Sequence, residues 1–128
     1  MEGLSHFEHA VLNKLLAGDH PTLLGLRVQA DTARLISREY TGAGFFLSFE
    51  VPADVPALTT PRDFHLGDVH GKVDALKHGV GFVLFVRKGR LNLLEGYTYG
   101  EDWPQDIQGY ELKYEHEPRQ VNISQAST

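Results

Sequence analysis

Cysteine is absent from the 128 residues, which removes disulfide frameworks, cysteine-ligated zinc sites and thiol nucleophiles from consideration. No apolar run approaches the roughly 18 residues that a bilayer-crossing helix requires. The opening residues Met1, Glu2, Gly3, Leu4, Ser5 and His6 lack a basic stretch followed by an apolar one. A cytoplasmic protein with no membrane contact is therefore expected. Positive charge is also scarce: 12 Lys and Arg stand against 17 Asp and Glu, a net charge of −5. Nucleic-acid binding draws much of its affinity from cations placed on phosphates, so this balance argues against a nucleic-acid partner. The one basic knot, Arg87, Lys88 and Arg90, is only the size of a turn.

What is present suits one globular core: 41% of residues are hydrophobic and 23% charged. Residues 1–115 are expected to form a single domain and residues 116–128 a polar, fraying tail. Acids and bases are equal in number up to residue 94. Beyond it, Glu95, Glu101, Asp102, Asp106, Glu111, Glu115 and Glu117 face Lys113 alone as far as residue 117. This acidic stretch keeps a surface solvated and can also steer a cationic partner.

Ser5 and Glu8 have capping-box spacing, and Phe7, Val11, Leu12, Leu15 and Leu16 recur at helical intervals behind them. A first helix follows from that. Gly18 stops it, Asp19 is the expected cap of a second helix, and Pro21 stands in its first turn ahead of Leu23, Leu24, Leu26 and Val28. From Ala33 the period changes to alternation. Residues 33–40 and 45–51 flank the turn Thr41–Gly44 and predict a hairpin. Pro52, Pro56 and Pro61 mark a surface loop, and residues 66–76 read as a polar edge strand with Val69, Val73 and Ala75 on one side. Phe82–Val86 and Leu91–Leu94 are joined through Lys88 and Gly89, which predicts a second, central hairpin. Tyr110, Leu112 and Tyr114 make a last strand. The fold class expected is α+β, two N-terminal helices on a largely antiparallel, hairpin-rich sheet of about five to six strands. The hairpin's two apolar faces imply helices on one side and, on the other, a curled sheet or a partner subunit.

Chemical motifs are sparse. Gly67, Asp68, Val69, His70 and Gly71 spell GDVHG, similar to one block of the calcineurin-like metallophosphoesterases, in which Asp and His hold a two-metal centre. The companion GDxxDR and GNHE blocks are missing here. His6 with His9, and His65 with Asp68 and His70, each fall short of a local ligand set, so neither metal nor cofactor is expected. No nucleophile elbow or phosphate-cradling glycine loop occurs, and no catalytic residue is assigned. Glu39, Glu50, Asp68 and His70 could serve a polar cavity between helices and sheet, as in a small-ligand binder or a hydrolase. The segment Glu95, Tyr97, Tyr99, Glu101, Asp102 and Trp103 mixes rings with acids, a composition that protein interfaces favour, while Tyr97 and Trp103 also suit sealing one end of the core.

Residues 4 to about 114 resemble a group of short uncharacterised bacterial proteins, through FEHAVLNKLL (Phe7–Leu16), REYTGAGFF (Arg38–Phe46) and above all HGVGFVLFVRKGRLNLLEGYTYGEDWP (His78–Pro104). The last string also looks, more loosely, like the terminal hairpin of small acidic immunity-type proteins that neutralise a toxin. The first resemblance implies a fold and no activity; the second implies a protein partner. The resulting expectation is a non-enzymatic interaction domain whose acidic aromatic segment meets another protein, a cationic one being the type its charge would suit, with a homo-oligomer also expected.

Overall fold

Ser5 closes the start of helix α1 (His6–Leu16): its hydroxyl accepts from the Glu8 amide at 3.1 Å, and the Glu8 carboxylate accepts from the Ser5 amide at 2.8 Å. Both bonds satisfy amides that a helix start leaves without partners. The computed structural model describes residues 1–121 and 123. Helix α2 (Pro21–Thr32) is capped one residue later than expected, because the His20 imidazole, and not Asp19, accepts from the Thr22 amide at 3.1 Å. Its buried side is narrower than the leucine pattern implied. Leu23 and Leu26 are buried with the polar Gln29, whereas Leu24 and Val28 are exposed.

Seven strand segments follow: β1 (Arg34–Tyr40), β2 (Gly44–Glu50), β3 (Phe64–Leu66), β4 (Val69–Val73), β5 (Val80–Arg87), β6 (Arg90–Thr98) and β7 (Tyr110–Tyr114). They form one open antiparallel sheet in the order β1-β2-β6-β5-β4-β7, and β3 pairs with β5 beside β4. Two segments thus share one position. The α+β class and the central hairpin are as expected from sequence. Lys88 and Gly89 both take positive φ, 53° and 75°, which matches the hairpin turn to the strands' twist. The polar segment at residues 66–76 is no edge, however. β4 runs between β5 and β7, its outward polar residues facing away from the helices and its Val69 and Val73 buried beneath them; Ala75 lies beyond the strand.

Both helices cover the same face of the sheet. Phe7, Val11, Leu15 and Leu23 join Phe45, Leu47, Phe64, Phe82, Leu84, Val86 and Leu94 in one apolar core. Burial of such side chains stabilises by about 1.5–3 kcal/mol each before chain entropy is charged against it. Within the described part of the expected tail, Arg119 is tied down: it pairs with Asp68 at 2.8 Å and donates to the Leu15 carbonyl at 2.8 Å and the Ala17 carbonyl at 2.6 Å. A cation there also faces the negative end of α1. The remaining tail residues, 122 and 124–128, lie outside the described ones.

Candidate functional site

Strand alternation decides what the second face of the sheet carries. Phe45, Leu47 and Leu94 point to the helices, so their neighbours Phe46, Leu93 and Glu95 point away, as do Val83, Phe85 and Tyr97. Register places these in rows. Glu95 stands between Phe46 on β2 and Val83 on β5, Leu93 stands between Ser48 and Phe85, and Tyr97 stands between Gly44 and Gly81. A β-carbon on Gly81 would collide with the Tyr97 ring, so the glycine lets that ring lean across β5. Tyr99 continues the face, 47% exposed, edge-on to Tyr97 at 5.6 Å, with its hydroxyl 3.3 Å from His70 Nδ1. His65 and the Arg87 guanidinium both approach the Phe85 ring, at 6.1 and 5.2 Å.

Glu95 therefore occupies the middle of an aromatic and aliphatic sheet face. Among the described residues it makes no ion pair. Tyr97 registers this surrounding: burial first, then Tyr99, Glu95 and Glu115, push its phenol above the ordinary value.

The acidic aromatic segment is divided by the fold. Glu95, Tyr97 and Tyr99 lie on the open face, but Glu101 is a capping group whose carboxylate accepts from the Lys77 and His78 amides, each at 3.1 Å. Trp103 turns towards the core, where it meets Phe45 edge-on at 5.0 Å and Phe7 at 6.3 Å. Asp102 remains exposed. The four cavity candidates do not converge. Glu39 and Glu50 sit on β1 and β2, the latter paired with Arg34; Asp68 is engaged by Arg119; His70 lies four strand positions from Glu39, about 19 Å at ordinary strand spacing. Glu39 pairs with Phe46, Glu50 follows Phe46 and Ser48 in the alternation of β2, and His70 pairs with Gly81, so three of the four share the open face with the segment from which sequence had separated them.

His65, Asp68, Glu115 and His116 line a hollow of about 330 Å³, yet no group of three or more His, Asp or Glu among the described residues is arranged to hold a metal ion. Sequence reasoning passed over Phe46, Val83, Phe85 and Leu93 as site residues, although the apolar character of both sides of Phe82–Val86 was the available signal. Comparison with family models, with curated proteins and with solved structures finds no match in any of the three.

Proposed function

We propose that this protein is a non-enzymatic binding domain whose open sheet face, centred on Glu95, receives a partner protein that presents a basic side chain. One observation carries the reading: among the described residues, helices cover one side of the sheet only, and the other side exposes a carboxylate that no cation of the described chain compensates, set among Phe46, Val83, Leu93 and Tyr97. Aromatic side chains give large contact area for little lost rotamer freedom, and a basic group delivered onto Glu95 would be paired in partly dry surroundings. A role of the immunity type, in which a basic target is neutralised by being covered, is the form of this reading that the local charge favours. The dispersal of Glu39, Glu50, Asp68 and His70 weighs against the hydrolase alternative.

The test compares proteins captured from native lysate by the wild-type chain, by Glu95→Lys, by Tyr99→Ala and by a control, Val28→Lys, on the exposed side of α2. At least one protein should be enriched by the wild type and the control and reduced about tenfold or more by Glu95→Lys. Equal capture by all four chains would end the reading. Sedimentation of the same chains identifies self-association: a dimer that Glu95→Lys dissociates would make a second copy the occupant.

A further inference from the structure

Tyr40 ends β1 on the helix side, opposite Phe45, and is nevertheless 63% exposed. Beside it Trp103 is fixed by its amide, which donates to the Gly42 carbonyl at 2.6 Å, and by its edge-on contact with Phe45. Tyr40, Trp103, Pro104 and Gln105 are the common wall of two adjoining hollows, of about 180 and 290 Å³. The first runs in towards Phe7 and Ile107, and the second opens at Gly42. Neither the indole N–H of Trp103 nor the Tyr40 hydroxyl is engaged by a described residue; among the described residues no buried side-chain polar atom lacks a partner, so the indole N–H meets solvent, and Tyr40 is largely exposed, with both residues lining the groove. Asp106 lines the first hollow, where its carboxylate accepts from Gln108 Nε2 at 2.9 Å, and Asp102 is exposed next to Trp103 in the chain; neither enters an ion pair among the described residues.

From this arrangement we infer a second docking site, independent of the sheet face: the Tyr40–Trp103–Pro104 groove takes an extended proline-rich segment that carries a basic residue at one end. The match is chemical. A polyproline II segment offers carbonyl acceptors, lacks N–H donors at its prolines, and loses little conformational freedom on binding. The groove offers the reverse, two ring donors and aromatic planes on which pyrrolidine rings pack. Two small hollows in series also suit alternate side chains of an extended segment better than the long apolar trough an amphipathic helix would need. The two carboxylates supply the complement for the basic end, which orients the segment.

Trp103 is the only tryptophan, so its emission reports the groove directly. The full chain is titrated with two synthetic peptides, Arg-Pro-Leu-Pro-Pro-Leu-Pro and Pro-Pro-Leu-Pro-Pro-Arg, which place the basic residue at opposite ends. At least one should shift the emission saturably with a dissociation constant below about 1 mM. Tyr40→Ala, an exposed position, should weaken that binding about tenfold, Asp106→Lys should weaken it as well, and replacing the peptide's arginine by glutamate should do the same. Glu95→Lys should leave it unchanged, which separates this site from the sheet face. The inference is overturned if neither peptide saturates, if a peptide with alanine for every proline binds equally well, if Tyr40→Ala and Asp106→Lys both bind like the wild type, or if Glu95→Lys abolishes the response.

Discussion

Gln29 has no exposed surface, and its amide is fully occupied: Nε2 donates to the Gly89 carbonyl at 2.9 Å and the Pro56 carbonyl at 3.2 Å, while Oε1 accepts from the Leu91 amide at 2.9 Å. One side chain thereby joins α2, the proline-containing loop and the start of β6. Gln29→Leu keeps the volume and orphans the buried Leu91 amide, so the denaturant midpoint should fall by the equivalent of about 1–3 kcal/mol. A change below about 0.5 kcal/mol, the size expected of an ordinary surface substitution, would show that the bridge contributes nothing. Glu101 gives a pH signature. The Lys77 and His78 amides hold its carboxylate below the ordinary value of 4.5, so its contribution is present above that value and lost as the pH falls through the lower folded one. Glu101→Gln should therefore flatten the acid limb of a stability–pH curve; an unaltered limb would refute the capping role. Neither residue's task was legible in the sequence. Gln29 lies at the helical spacing of a core stripe but carries no sign of its partners 27 to 62 residues away, and Glu101 reads as a free surface acid until the chain brings residues 77 and 78 beside it.

Among the elements, the β5–β6 hairpin holds the sheet together, since it occupies the two central positions and pairs from Val80–Thr98 to Arg87–Arg90. Its turn needs Gly89 for two reasons. The residue's φ is 75°, and a β-carbon there would press on the Leu58 backbone, whose amide donates to the Gly89 carbonyl at 2.8 Å. Gly89→Ala should consequently cost about 1 kcal/mol or more, beyond the conformational penalty of a left-handed alanine, whereas Lys88→Gly should be nearly neutral or stabilising. Equal effects of the two substitutions, measured by thermal unfolding, would contradict this picture of the turn. The hairpin was readable because apolar alternation and a Lys-Gly turn are local signals. The place of β4 was not: its polar residues, His70 and Lys72, suggested an edge, but they belong to an open face where an interior strand can be polar at no cost.

At the scale of the whole molecule, the defining feature is the inequality of the two sheet faces. Two short helices are enough to cover one of them, and the chain places Phe46, Val83, Phe85, Leu93, Tyr97 and Tyr99 on the other. Alternation made both apolar faces visible in residues 82–86, but it could not say whether the second would be closed by the chain itself, because closure depends on the order in which distant strands join. That Glu95 lies at the centre of this face, with half of the acidic aromatic segment elsewhere, follows from register and is invisible locally. The most direct measurement is photo-crosslinking of the full chain in native lysate, with a photoreactive residue at position 85 or 95 on the open face or at position 28 on α2. Specific adducts should form from positions 85 and 95 and be absent from position 28. Adducts of equal yield from all three positions, or from position 28 alone, would contradict the assignment of the open face as the binding surface.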